Sequence, residues 1–368
     1  MFVKKEKTAC GKKPHLISSR NQAMQALWGP YVWCVEQMLY SNPHFAQAWN
    51  HHAYGQFMDR AMRKLGEHWA VNVDATAWDA HISRELLAVE QYVFRGLLGV
   101  HCPPTDLFEA LSHGDCRYRS GRHIRLHYQR FSGDMHTSLG NGILNYVIIR
   151  AMLLDLGLSD VDTDFAVKGD DSDLRLLRAP DVGYVRRHFE RCGHIAKVKL
   201  CHAEDSEFAS VIYLQSKMGW EGFRLPYKTL FRAPFSVGKL APLQSRRRAM
   251  AVAECELVEN SGCPVIGSLA AYWHRYAASF TRVCDFDTDL DFRFKRAVRR
   301  ALPDDVTRSS FERVTGVSVS MQLEMESLLD ELVAGEPIPS HPGWDVIFMA
   351  YNDMTDYDDS SRLIGSWA

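Results

Sequence analysis

Apolar positions along the chain switch between two periods, and the switches predict its elements. Trp28, Val32, Val35 and Leu39 recur at helical spacing, which predicts a helix from Ser18 to Tyr40 with Ser18 or Ser19 as its N-cap. After Gly66, the alternation of Trp69, Val71 and Val73 predicts a strand from His68 to Asp74. Leu86, Leu87, Val89, Val93 and Leu97 return to helical spacing, so Ser83 to Leu98 is expected as an amphipathic helix. His101 to Pro104 breaks the chain, and weak alternation through Tyr118, Ile124, Leu126 and Tyr128 predicts a hairpin around Ser120-Gly121. A loop at Ser132-Gly133 opens a long helix over about 137–155. Thr163 to Val167 and Leu174 to Leu177 read as short strands joined by a turn, followed by a helix from Val182 to Cys192 and short strands within 195–215. Beyond Pro242 the pattern turns helical, over Arg246 to Val258, Ile266 to Tyr276 and Met321 to Val333, with Gly335 and Pro337 as the stop. The class expected from this order is α+β.

Composition adds limits. With 368 residues, 46% hydrophobic and 24% charged, neither disorder nor coiled coil describes the chain as a whole. The net charge of −2 means that any affinity for nucleic acid must come from a local cluster. One exists: Lys4, Lys5, Lys7, Lys12, Lys13 and Arg20 stand against Glu6 alone, while the end from Asp353 to Asp359 is acidic. The nine cysteines are scattered and no signal peptide opens the chain, so a reducing, cytosolic setting with free thiols is expected. Cys192, His194, Cys201 and His202 have the spacing C-x-H-x6-C-H, irregular for structural zinc, and buried thiols with surface histidines are the favoured reading. The most apolar stretch, Gly142 to Leu158, is interrupted by Asn145, Arg150 and Asp155, so no spanning helix is expected and membrane association would come only through partners. Trp28, Trp33, Trp49 and Trp78 are expected in the core.

The chemistry-bearing residues fall in three groups. Gly169-Asp170-Asp171 sits at the tip of the expected hairpin, Asp74 ends the expected strand, and Asp79 follows it. Ser132-Gly133, Thr137 and Asn141 have the spacing SG-x3-T-x3-N. A GDD by itself is a weak signal, but three motifs in this order match a nucleic-acid polymerase palm. Nucleotidyl transfer uses two metal ions about 4 Å apart, and Mg²⁺ prefers carboxylate and phosphate oxygens. Asp74 and Asp170 on neighbouring rigid strands, with Asp171 as auxiliary, would meet that need. Asp79 and Asn141 are the candidate readers of the ribose 2′-hydroxyl, with Ser132 and Thr137 completing the network and Gly133 admitting a close backbone approach. Lys12, Lys13 and Arg20 suit a triphosphate, Arg20 through its bidentate fork. Lys197 or Lys199 would protonate the departing pyrophosphate. Individually, each aspartate has a bland alternative as helix cap or turn residue, and Ser132-Gly133-Asp134 as a helix cap.

These residues carry a resemblance. The run Val73-Asp74-Ala75-Thr76-Ala77-Trp78-Asp79 resembles the first palm motif of RNA-dependent RNA polymerases of positive-strand RNA viruses. Ser132-Gly133-Asp134-Met135-His136-Thr137-Ser138-Leu139-Gly140-Asn141 is similar to the second motif in its tombusvirus-like form, and Lys168-Gly169-Asp170-Asp171 to the third. Glu207-Phe208-Ala209-Ser210 resembles the strand pair where palm meets thumb, and Lys12 to Arg20 the basic fingers motif. The resemblance implies a right hand with an antiparallel-sheet palm, partial fingers and a mostly helical thumb. The expected division is 1–67 partial fingers, 68–215 palm with a fingers insertion at about 100–131, and 216–368 thumb and tail. It also implies two Mg²⁺ or Mn²⁺ ions, an RNA template and product, ribonucleoside triphosphates, and a place in the host cytoplasm within a membrane-associated replication complex.

Three departures stand out. His15 occupies a position where arginine is common, Lys168 precedes the GDD where a small or neutral residue is usual, and the chain begins almost at the basic fingers motif. The last implies either a part of a longer polypeptide, with a viral replicase partner supplying the upstream fingers, or a short polymerase with an open nucleotide tunnel. Two rival readings follow: a reverse transcriptase-like palm enzyme, and a truncated non-catalytic replicase subunit that binds RNA.

Overall fold

The computed structural model describes residues 2–3, 16–18, 20–117, 121–234, 240–298 and 301–354. Lys12, Lys13 and His15, with the basic run from Lys4, lie outside the described residues. The chain forms two compact units, one built mainly from Arg60–Ala209 and the segment ending at Trp49, the other from Asn50–Asp59 and the residues after Ser210.

In the first unit, β1 (Phe2–Val3) pairs antiparallel with β2 (Leu16–Ile17), and α1 (Gln22–Leu39) follows. The cap of α1 is Asn21, whose side chain accepts from the Met24 amide at 2.8 Å, rather than Ser18 or Ser19. Ser18 instead donates its backbone N–H to the Ser132 carbonyl, so the chain is still extended there. On α1, Trp28, Val32 and Val35 are buried, but Trp33, expected in the core, is 62% exposed on the opposite face. The helix α2 (His51–Leu65) spans the division between the units; no expectation from the sequence anticipated it.

Next come β3 (Trp69–Thr76), a 3₁₀ turn over Trp78–His81, and α3 (Arg84–Leu98), capped by Ser83. Then α4 (Thr105–Ser112) leads into the hairpin β4 (His113–Arg117) and β5 (His123–His127). The long helix α5 (Thr137–Asp155) matches its expected span, and Asn145 and its neighbours are buried along it. The GDD hairpin is β6 (Thr163–Lys168) and β7 (Asp171–Leu176), so Asp171 is the first residue of a strand and the turn proper is Gly169-Asp170. The unit closes with α6 (Val182–Arg191), β8 (Ile195–His202) and β9 (Glu207–Phe208).

The central sheet has the order β6-β7-β3-β8, all antiparallel. Side chains of directly opposed residues share a face, so alternation along each strand separates two surfaces. One carries the rows Val167, Ser172, Val73, Val198 and Phe165, Leu174, Val71, Leu200. This face packs in one core with Leu139, Ile143 and Ile149 of α5, Val185 and Phe189 of α6, Phe94 of α3 and Trp28 of α1. Burial of each such large side chain stabilises by about 1.5–3 kcal/mol, and four helices thereby fix one side of the sheet, leaving its polar rows on the other.

In the second unit, β10 (Val211–Ser216) and β11 (Gly219–Arg224) form an antiparallel hairpin. It is followed by α7 (Pro226–Arg232), α8 (Pro242–Glu259), α9 (Ile266–Ala278), α10 (Thr288–Arg296), α11 (Asp305–Thr315), α12 (Val319–Glu331) and α13 (Pro342–Met354). Ile212, Leu214, Phe223, Ile266, Phe311 and Met325 make its core. The expected helices here appear as α8, α9 and α12. The other four were not visible in the periodicity.

The described cysteines are free thiols. The zinc reading fails on distance. Cys192 and His194 precede β8 while Cys201 and His202 close it, and seven steps of about 3.3 Å separate the ends by roughly 20 Å. His194 is no surface residue either; it is fully buried and stacked on Trp78 at 4.0 Å. No described helix is long and apolar enough to cross a membrane.

Candidate active site

The polar face of the sheet orders the carboxylates. Lys168 opposes Asp171 across β6 and β7, and Asp74 opposes Lys197 across β3 and β8. The β3–β7 pairing ends with Val73 opposite Ser172, and Asp74 and Asp171 are the next residue along each strand. A single cross-strand row therefore reads Lys168, Asp171, Asp74, Lys197, with Asp170 in the turn at its edge. Behind it lies the row Ala166, Asp173, Asn72, Lys199. Asp74 is exposed, and Asp170 and Asp171 are half-buried. Lys168 thus shares the carboxylates' face. Of the two lysines expected after the hairpin, Lys197 is in the carboxylate row and Lys199 is one row back.

Among the described residues no three metal-binding side chains are gathered closely enough to hold an ion by themselves. Mg²⁺ sites of this kind use one or two carboxylates and complete their shell with water and substrate phosphates, so an open edge with aspartates on adjacent strands suits that donor chemistry.

The turn that presents Asp170 is held from beneath. Asn145 of α5 is fully buried, and its Nδ2 donates toward the carbonyls of Gly169 at 3.2 Å, Asp170 at 3.0 Å and Asp171 at 3.2 Å. Sequence reasoning missed this residue. The signal was its place one turn after Asn141, a polar side chain within the most apolar helix of the chain.

Asp79 and Asn141 are brought together as expected. Asn141 Nδ2 donates to Asp79 Oδ1 at 2.8 Å. On its other side Asn141 Oδ1 accepts from Arg130 Nε at 3.0 Å, and the Arg130 guanidinium is paired with Glu90 of α3. Neither Arg130 nor Glu90 was singled out in the sequence. Glu90 lies on the apolar stripe of α3, where a charged residue is out of place unless paired, and Arg130 stands two residues before Ser132.

Ser132, Gly133 and Thr137 build the entry to α5. Gly133 has φ +110° and is exposed, a conformation that L side chains rarely adopt, so glycine is needed for the loop itself. The Thr137 hydroxyl donates to the carbonyls of Phe131 at 3.1 Å and Asp134 at 2.8 Å. Its observed bonds therefore shape the loop.

Arg20 departs from its expected direction. Its Nε donates to Asp134 at 3.0 Å, and its terminal nitrogens donate to the carbonyls of Ala110, Leu111 and His113, with the guanidinium over the Phe131 ring at 4.4 Å. These inward bonds occupy the fork expected to grip phosphate, because Asp134, buried at the loop, requires a cation beside it. Arg20 thus braces the loop before α5.

Burial pushes Asp134 up to about 6, although Arg20 works in the opposite direction. A carboxyl raised above its unfolded value of about 3.9 binds its proton more tightly when folded. Its contribution to stability is complete below pH 4 and is lost as pH rises through about 6. The stability margin of the wild type over Asp134→Asn is therefore expected to be largest at pH 4 and to shrink by pH 7. Thermal melts of both across that range measure it, and a margin that grows with pH would contradict the assignment.

Comparisons with known proteins place the chain in a family. Residues 1–334 match the sequence family described as "Viral RNA dependent RNA polymerase". The RNA-directed RNA polymerase of maize chlorotic mottle virus is 28% identical over 285 residues, covering 72% of this chain and 29% of that protein. The putative RNA-directed RNA polymerase of barley yellow dwarf virus (isolate PAV) is 23% identical over 369 residues, covering 92% of this chain and 41% of its own. The RNA-directed RNA polymerase of cymbidium ringspot virus is 23% identical, with 92% and 44% covered. The chain thus spans less than half the length of these relatives. With the match covering most of its length, the chain belongs to the viral RNA-dependent RNA polymerase family.

Proposed function

We propose that this chain carries the catalytic core of an RNA-directed RNA polymerase, adding ribonucleoside monophosphates to an RNA 3′-hydroxyl under the direction of an RNA template. The observation that carries the reading is the cross-strand row that sets Asp74 beside Asp171, with the Asp79–Asn141 pair following β3. Asp74, Asp170 and Asp171 would hold two Mg²⁺ or Mn²⁺ ions, which when bound activate the attacking hydroxyl and neutralise the leaving pyrophosphate. Asp79 and Asn141 read the ribose 2′-hydroxyl, which separates ribo- from deoxynucleotides. Lys197, in the carboxylate row, is placed to give a proton to pyrophosphate; Lys199 is the second candidate.

In the right-hand description the sheet β6-β7-β3-β8 with α5 and α6 is the palm, the β4–β5 hairpin belongs to the fingers, and the helices after β11 form the thumb. Lys12 and Lys13 remain candidate triphosphate ligands. The partners of this reading are RNA, ribonucleoside triphosphates and a viral replicase partner, in a membrane-associated complex of the host cytoplasm.

The test is incorporation of labelled nucleotides by the purified chain on a short RNA template with Mg²⁺ or Mn²⁺. Template-dependent use of ribonucleotides is expected. Preference for deoxynucleotides would move the chain to the reverse transcriptase-like reading. Retained RNA binding without any synthesis, also after supply of an upstream segment, would make it a binding subunit.

A further inference from the structure

Arg130 is bonded to both members of the Asp79–Asn141 pair. Its backbone N–H donates to the Asp79 carbonyl at 3.0 Å, and its side-chain Nε donates to Asn141 Oδ1 at 3.0 Å. Its guanidinium is buried, 1% exposed, and paired with Glu90, which is 5% exposed. A guanidinium has donors only, so the atom of Asn141 facing it must be the carbonyl oxygen. The amide NH₂ is then directed at the Asp79 carboxylate, an acceptor. The orientation of Asn141 is thereby set from both sides, and Asp79 keeps its second carboxylate oxygen for another donor.

The pair is enclosed tightly. Gly140, next to Asn141, faces it so closely that a Cβ there would come within 2.5 Å of Arg130 Nη2 and 2.6 Å of Glu90 Oε1. His136 Nε2 lies 3.7 Å from Glu90 Oε1, and full burial holds its imidazole well below its usual range, so it stays neutral. One cation and one anion are thus closed together behind Asn141, and a buried pair of this kind is often no more stable than an apolar substitute. Its value here lies in orientation.

We propose that Arg130, anchored by Glu90, is the positioning residue that sets the spacing and orientation of Asp79 and Asn141 and so determines how strongly the site selects ribose over deoxyribose. Gly140 is the small residue that leaves room for it. The inference rests on the reading that the Asp79–Asn141 pair recognises the 2′-hydroxyl.

The experiment compares kcat/KM for one ribonucleotide and its 2′-deoxy analogue on the same RNA template, using the full chain, Asn141→Ala, Arg130→Gln, Glu90→Gln and the double variant Arg130→Gln/Asn141→Ala. Arg130→Gln and Glu90→Gln are expected to lower the ribo-to-deoxy ratio about tenfold, through the ribonucleotide, since a misplaced donor removes recognition of a hydroxyl. The double variant is expected to select no worse than Asn141→Ala alone, because both act through one group. Equal losses for both nucleotides, with an unchanged ratio in both Arg130→Gln and Glu90→Gln, would mean a structural role only and overturn the proposal. Glu90→Gln keeps volume and decides the matter where Arg130→Gln fails to fold. An unchanged ratio in Asn141→Ala would overturn the ribose reading itself, and the positioning role with it; a changed ratio there, with none in the other two, sinks only the positioning role.

Discussion

Asp74→Asn is expected to lose nucleotide incorporation by about a thousandfold or more while keeping its fold. Metal ions contribute several kcal/mol of charge stabilisation in such transfers, and each 1.36 kcal/mol is about tenfold in rate. Asparagine preserves the size of the side chain and removes the charge that would attract an ion. Asp74 is exposed near the end of β3, opposite Lys197 and one residue beyond the β3–β7 pairing that leads to Asp171, so the change leaves the apolar core untouched and stability should shift by no more than about 1 kcal/mol. Incorporation assays beside thermal melts separate the two effects. Synthesis within a few-fold of wild type would exclude Asp74 from the chemistry.

The second large effect is expected at a residue that touches no substrate. Asn145→Asp replaces the NH₂ that faces the carbonyls of Gly169, Asp170 and Asp171 with a carboxyl oxygen facing the same three acceptors. Three donor contacts vanish and a buried carboxylate meets carbonyl oxygens, each unsatisfied group costing about 1–3 kcal/mol, more when charged. The variant should melt well below the wild type and lose incorporation by about a hundredfold or more. Protonation of the introduced carboxyl returns one donor, so the deficit is expected to narrow at pH 6 relative to pH 8. Asn145→Ala, which removes the donors without adding charge, should fall between. If Asn145→Ala copied RNA at the wild-type rate, the tether to the turn would be dispensable.

Much of the central sheet was legible because its strands are asymmetric. Val71, Val73, Phe165 and Leu174 alternate with polar residues, and the GDD spacing leaves little choice for the turn. The span of α5 was legible because its apolar run is long and opens after a glycine. What escaped were polar residues serving other polar residues. Glu90 and Arg130 are 40 positions apart, and nothing in local periodicity links them. Asn145 seemed an interruption of an apolar stretch, whereas it is the group that stretch carries to the turn. Arg20 was assigned from its bidentate fork and the resemblance of its segment to the basic fingers motif, while its direction depended on Asp134, 114 residues away. In the second unit, α10 and α11 run only 9 and 11 residues, too few for an apolar spacing to repeat along them.

The row Lys168, Asp171, Asp74, Lys197 is cationic at both ends and anionic between. Two adjacent carboxylates on the inner strands β7 and β3 would repel one another and spread the strands, and the flanking ammonium groups balance that repulsion along the row. Divalent cations bound there would enter by counterion exchange, taking over from the lysines the balance of charge around the aspartates. Lys197, opposite Asp74 in the row, would then stand beside the anionic product. The sheet can keep its strand order throughout, with the same four residues serving in turn as ballast and as apparatus.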